Sequence, residues 1–200
     1  EFRRVLFRSE WSEAAKINKN DVFLRNFYDL TDMSARRFLA IGNVNGALKC
    51  YENLSEVFPD DANAVHNFGI CLKKAGNNEA AVKVLMRSLA MDPANDARRE
   101  ELISAAELSG RLDFAARQAD VLIEHRPEDP AAYLRAAKLW CRRGNKARDD
   151  AKAIALARDA LRISHDEEEY KFGLADVLIE TGNVLEGMKI KRALRKKETK

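Results

Sequence analysis

Residues 62–95 read ANAVHNFGICLKKAGNNEAAVKVLMRSLAMDPAN, and this stretch decides the fold. It holds two segments of about a dozen residues each, with apolar side chains at helical spacing. Gly76 and Asn77 separate the two segments, and Pro93 follows the second one. Glycine adopts the left-handed conformation that closes a helix, whereas proline cannot continue one. The stretch therefore predicts two helices joined by a tight turn.

These glycine and proline positions recur along the chain with a period of 34 residues. The glycines, spaced 34, 34, 34 and 38 residues apart, are Gly42, Gly76, Gly110, Gly144 and Gly182. The prolines, again 34 residues apart, are Pro59, Pro93 and Pro127. Two kinds of residue that share one period indicate tandem helix pairs. Strand-like alternation is never sustained, so we expect an all-α chain.

The fourth unit exceeds the period by four residues after Gly144. Because four residues are close to one helical turn of about 3.6 residues, lengthening a helix by this excess would preserve the direction of its side chains. His165 then takes the position where the next proline would stand.

The period and its columns of small residues, glycine, alanine and proline resemble the tetratricopeptide repeat, most clearly in residues 62–95. The resemblance implies antiparallel helix pairs stacked as an α-solenoid, a right-handed superhelix whose concave groove is lined mainly by the first helix of each pair. It covers five units, which are residues 28–61, 62–95, 96–129, 130–167 and 168–200. Residues 1–27 are then an N-terminal extension with a capping helix or partial repeat near residues 10–17. Residues 1–9 lack the pattern, which leaves open whether they are native.

The resemblance also implies which side chains line the groove. Apolar anchors such as Leu134 and Phe172 would supply affinity for a ligand, and charged residues would set its register. The predicted groove residues are Arg36, Asn63, His66, Asn67, Ile70, Lys73, Lys74, Glu100, Ser104, Leu134, Lys138, Arg142, Phe172 and Asp176.

These groove positions do not match the subclass of repeats that holds the C-terminal carboxylate of chaperones. Among the positions that this subclass uses, only Asn67 matches, and Glu101 would repel a carboxylate. A ligand of the chaperone-clamp type is therefore not expected.

Composition excludes several classes of partner. The net charge of +3 arises from 35 basic and 32 acidic residues, which is too balanced to indicate a nucleic acid or membrane partner. No apolar run reaches the ~20 residues that cross a bilayer. Cys50, Cys71 and Cys141 form no C-x-x-C pair, which predicts buried, reduced thiols in a cytoplasmic protein.

No constellation of residues indicates catalysis. His66, His125 and His165 fall in different units without the spacing of metal ligands, and no phosphate-binding or nucleophile motif occurs. Trp140 is expected in the core. The basic run at residues 142–152 is interpreted as a solvated loop, because no aromatic residues interleave it. We therefore predict no catalytic residue, no cofactor and no metal.

Our leading hypothesis is a non-catalytic scaffold or adaptor that binds a peptide or helix of another protein in its groove. Two alternatives stay open. The chain could be the repeat region of a larger enzyme, such as a glycosyltransferase or sulfotransferase, where it would present the substrate. A helical-repeat RNA binder ranks last, because its repeats would carry a more basic face.

Overall fold

The computed structural model describes the backbone of residues 21–198 and the side chains of residues 21–195. Over this range the chain forms ten α-helices and no strand, which confirms the all-α prediction. The helices are α1 (Asp21–Ala40), α2 (Val44–Val57), α3 (Ala62–Lys74), α4 (Asn78–Met91), α5 (Asp96–Leu108), α6 (Leu112–His125), α7 (Pro130–Cys141), α8 (Asp150–Ile163), α9 (Glu168–Glu180) and α10 (Val184–Glu198).

The beginning of the repeat region differs from the prediction. Helix α1 starts at Asp21, so the predicted boundary between residues 27 and 28 falls inside a continuous helix. Residues 21–27 therefore belong to the first hairpin and not to an extension. The predicted helix near residues 10–17 lies outside the described residues.

The same three-residue turn closes four of the hairpins, α1–α2, α3–α4, α5–α6 and α9–α10. In the α3–α4 turn, Gly76 has a φ of 81°. The backbone N–H of Asn77 donates to the carbonyl oxygen of Leu72 at 2.9 Å. This bond satisfies a carbonyl at the helix end, and the positive φ favours a residue without a Cβ atom. The predicted role of the periodic glycines is confirmed.

The second helices end where the sequence predicts. Each of the three periodic prolines stands two residues after a second helix ends, and His165 holds the same place after α8. At this point, the backbone is left-handed at His165 (φ 53°) and Asp166 (φ 68°). Proline cannot adopt that conformation, because its ring fixes φ near about −65°. The missing proline therefore marks a turn of a different shape.

The four additional residues of the fourth hairpin lie in a loop and do not lengthen a helix. Residues 142–149 connect α7 to α8 and include most of the basic run predicted to be a loop. Asn145 is 6% exposed, and its Nδ2 donates to the carbonyl oxygen of Leu139 at 3.0 Å. Its Oδ1 accepts a backbone N–H from two residues further on at 2.9 Å. The loop satisfies the end of α7 through this side chain, and no added helical turn is needed.

The chain divides into two compact units, unit 1 (residues 1–105) and unit 2 (residues 106–200). In the described part of unit 1, α1 packs on α2, α2 on α3 and α3 on α4, around a core that includes Phe27, Tyr51 and Leu54. In unit 2, α6 packs on α7, α7 on α8, α8 on α9 and α9 on α10, and α9 also contacts α7. Each unit therefore contains two packed hairpins, α1–α2 and α3–α4 in unit 1 and α7–α8 and α9–α10 in unit 2, and the boundary between the units falls inside α5.

Small residues permit close approach of the helices. A Cβ atom added at Gly69 of α3 would lie 2.7 Å from the side chain of Leu85 in α4. A side chain at Gly69 would therefore push the two helices of this hairpin apart.

Candidate functional site

The predicted groove residues all lie on the first helices of the hairpins or directly at their ends. They are divided between the two units, so the candidate site is described as two faces, one in each unit. The unit 1 face comprises Arg36, Asn63, His66, Asn67, Ile70, Lys73, Lys74, Glu100 and Ser104. The unit 2 face comprises Leu134, Lys138, Arg142, Phe172 and Asp176.

On the unit 1 face, α3 and α5 are joined by an ion pair. Lys73 donates through Nζ to Oε2 of Glu101 and, at 3.2 Å, to Oγ of Ser104. Only 17% of the Lys73 side chain is exposed. Lys73 is therefore engaged inside the unit, whereas the next residue, Lys74, is exposed to solvent.

His66 lies beside this ion pair. Its side chain is partly buried, and its Nδ1 has no hydrogen-bond partner among the described residues. Burial lowers the pKa of His66, the positive charge of Arg98 lowers it further, and the carboxylate of Glu101 opposes the shift. The structure therefore favours the neutral imidazole at this position.

A buried arginine that the sequence analysis missed crosses from α5 to the preceding hairpin. Arg98 is 6% exposed and donates to the carbonyl oxygen of Ala62, to Oγ of Ser88 and, at 2.7 Å, to Oδ1 of Asn63. Its Nε also lies 3.8 Å from a carboxylate oxygen of Asp92. The one signal in the sequence was a pair of arginines in the first turn of α5, where the helix dipole disfavours positive charge.

The rest of the unit 1 face is mixed in exposure. Arg36 is exposed and lies 2.8 Å from Asp32, whose other oxygen accepts a hydrogen bond from the hydroxyl of Tyr51 at 3.0 Å. Burial and this hydrogen bond raise the pKa of Tyr51. The remaining predicted residues, which are partly buried, are Asn67, Ile70 and Glu100.

The unit 2 face contains a depression of about 400 Å³ lined by Glu107, Arg135, Lys138, Leu139 and Arg142. One oxygen of Glu107 accepts from Arg135 and the other from Arg142, both at 3.2 Å. Lys138 is exposed. We call these five residues the basic depression. It brings two predicted groove residues together with Arg135, which the prediction omitted although it stands three residues before Lys138.

The prediction that Leu134 is an accessible anchor needs correction. Leu134 is only 8% exposed, and a Cβ atom added at Gly173 would lie 2.5 Å from its side chain. Leu134 therefore fills the contact between α7 and α9, which leaves it little surface for a ligand. Phe172, the other predicted anchor, is partly buried on α9, and Asp176 is exposed there with an ion pair to Lys191 at 2.5 Å.

Trp140 has the packing role that the sequence predicts. It is 8% exposed, and its Nε1 donates to Oδ1 of Asp120 at 3.0 Å. Lys152 pairs with the other oxygen of Asp120 at 2.7 Å and lies 4.1 Å from the centre of the indole ring. The three side chains join α6, α7 and α8 inside unit 2.

The three cysteines, Cys50, Cys71 and Cys141, are buried and form no disulfide with one another, as predicted. Burial raises the pKa of the Cys71 thiol to about 11 and also raises the pKa of Cys141. Within the described range, no group of three or more His, Cys, Asp or Glu side chains is arranged to hold a metal ion. No helix among the described residues is long and apolar enough to span a membrane.

Comparison with solved structures gives the same fold. Residues 41 to the end of MamA from Desulfovibrio magneticus RS-1 match with a TM-score of 0.72 and 17% identity, over 86% of this chain and 96% of that one. A tetratricopeptide repeat protein from Parabacteroides merdae matches with a TM-score of 0.76 and 16% identity, over 88% of this chain and 68% of that one. The nearly identical TPR-like repeats of a putative kinesin light chain from Podosopora anserina match with a TM-score of 0.69 and 16% identity, over 89% and 96% of the two chains.

At these identities the likeness concerns the fold, and it confirms the resemblance to tetratricopeptide-type repeats at that level. No model of a protein family matches the sequence, and no curated protein matches it.

Proposed function

We propose that this chain, which has the fold of tetratricopeptide-type repeat proteins, is a non-catalytic interaction module that binds a peptide or helix of another protein on its first-helix faces. The observation that carries the proposal is that buried and exposed residues of the hairpins have different roles. Small and apolar residues such as Gly69, Leu134 and Gly173 are buried in contacts between helices, whereas Lys74 and Lys138 are exposed on first helices.

The proposal includes five repeats in the order of the five hairpins. In repeat proteins of this fold, ligands bind on the extended surface that neighbouring repeats create. Exposed charges on the first helices would then set the register of the ligand, and partly buried apolar groups such as Ile70 and Phe172 would contribute contact area.

Site-specific crosslinking tests where the partner binds. A photoreactive amino acid is placed at Lys74 or Lys138 on first helices and, in matched controls, at Lys49 or Lys83 on the second helices α2 and α4. All four positions are exposed, so each variant should keep the stability of the parent chain.

Each variant is irradiated in a lysate of the source organism, and the adducts are identified by mass spectrometry. We expect the same protein to be attached at Lys74 and Lys138 and not at Lys49 or Lys83. Equal adducts from the control positions, or none from either first-helix position, would contradict the proposed function.

A further inference from the structure

We infer that the basic depression of unit 2 binds a carboxylate side chain of an acidic peptide segment in the partner protein. The inference rests on the proposed function and deepens it by giving the ligand a chemistry.

Spacing places the three cations on one side of α7. Arg135, Lys138 and Arg142 are separated by three and four residues, which is the spacing of neighbours on one helical face. Helix α7 ends at Cys141, so Arg142 stands directly past its last residue. At the C-terminal end of a helix the dipole favours positive charge, so this clustering of cations is tolerated locally.

Charge balance leaves the depression positive. Three cations and one carboxylate line it, which gives a formal charge of +3 − 1 = +2. The side chain of Lys138 makes no ion pair or hydrogen bond among the described residues. Neighbouring like charges repel one another, and an incoming carboxylate would relieve that repulsion.

The carboxylate of Glu107 shows that the arginines of the depression can bind a carboxylate group. Glu107 uses one oxygen for Arg135 and the other for Arg142, both at 3.2 Å, and its side chain is 25% exposed. A guanidinium group carries five N–H donors, so each arginine retains donors after pairing with Glu107. Glu107 therefore acts as an internal competitor that occupies only part of the binding capacity.

The lining also distinguishes between classes of ligand. The depression holds about 400 Å³, and none of its five residues is aromatic. Single-stranded nucleic acids bind proteins largely by stacking bases on aromatic side chains, and this site offers no such platform. An acidic peptide fits better, because it needs only charge and hydrogen-bond donors.

The test uses the 200-residue chain and three synthetic peptides labelled with fluorescein. The acidic peptide contains glutamates and two leucines, and its counterparts carry serine or lysine in place of each glutamate. All peptides are blocked at both ends, so no terminal carboxylate contributes. Fluorescence anisotropy should show the acidic peptide binding at least about tenfold tighter than the serine peptide at low ionic strength, and less so above ~0.1 M salt.

Two variants change the depression in opposite directions. Lys138→Glu/Arg142→Glu should abolish the preference for the acidic peptide, whereas Lys49→Glu/Lys83→Glu, with the same change in net charge on second helices, should keep it. Glu107→Gln removes the competitor and should tighten binding of the acidic peptide by about threefold or more. A gain for the acidic peptide without a gain for the serine peptide is not the result expected of a misfolded variant.

Equal affinity for the acidic and serine peptides would overturn the inference, as would equal losses in the depression variant and its control. Tighter binding of a labelled oligouridylate than of the acidic peptide would also overturn it, in favour of nucleic acid. These outcomes leave the crosslinking result untouched. Adducts from second-helix positions would instead reject the proposed function, so the two failures are distinguishable.

Discussion

Units 1 and 2 differ in how some of their positive charges are used. In unit 1, Arg98 is 6% exposed and bonded to groups of its own unit, and Lys73 is engaged by Glu101. In unit 2, the side chain of Arg142 is 52% exposed and shares one carboxylate with Arg135. The same type of residue therefore holds hairpins together where it is buried and remains available to a ligand where it is exposed.

The strongest test of this difference replaces one arginine in each unit by alanine. Arg98→Ala should lower the free energy of unfolding by about 2–4 kcal/mol, because it removes the donor to the oxygens of Ser88 and Asn63 and one of the two donors to the carbonyl of Ala62. Arg142→Ala should lower it by less than ~0.5 kcal/mol, since exposed ion pairs contribute little. Urea titrations at neutral pH measure both values, and similar losses in the two variants would remove the distinction.

The contact between Leu134 and Gly173 tests which part of the unit 2 face is packing. Gly173→Ala should destabilise unit 2 by about 1–3 kcal/mol, because the new methyl group would overlap a leucine side chain. In the double variant Gly173→Ala/Leu134→Ala the overlap disappears, so the loss should be smaller than the sum of the two single losses. Strict additivity in thermal or urea unfolding would mean that the two residues do not share a contact.

The smallest expected effect is the pH dependence contributed by His66 on the unit 1 face. Its pKa is lowered in the folded chain, so the unfolded chain takes up the proton first as the pH falls through about 6.5. Stability should therefore decrease between about pH 7.5 and pH 5.5. His66→Gln should make this decrease shallower in urea titrations. A steeper decrease in the variant would mean that Glu101 outweighs burial and Arg98 at this site.

The fold was largely predictable because its signals are local. A positive φ at Gly42 or Gly76 depends on the turn in which the residue lies, and a proline blocks helix continuation in any context. The loop at residues 142–149 could not be predicted in this way. It depends on the hydrogen bond from buried Asn145 to the carbonyl oxygen of Leu139, and the repeat period does not encode this contact. Four residues match a helical turn in length, but length alone did not decide the outcome.

The candidate site was less predictable, because partners on different helices decide it. Membership of a first helix could be assigned to Lys73, Lys138 and Leu134 from the repeat alone. Whether each is paired, unpaired or buried depends on Glu101 for Lys73, on the pairing of Glu107 with two arginines for Lys138, and on Gly173 for Leu134. Arg98 was missed for the same reason, since its acceptors lie 10 to 36 residues away in sequence.

The buried thiols make the chain its own reporter of local opening. Cys50, Cys71 and Cys141 belong to the first, second and fourth hairpins, and each is at most 2% exposed. A thiol reagent reaches such a sulfur only when the surrounding hairpin opens. The three labelling rates, separated by peptide mass mapping, would therefore rank these hairpins by the free energy of opening them, without any substitution in the sequence.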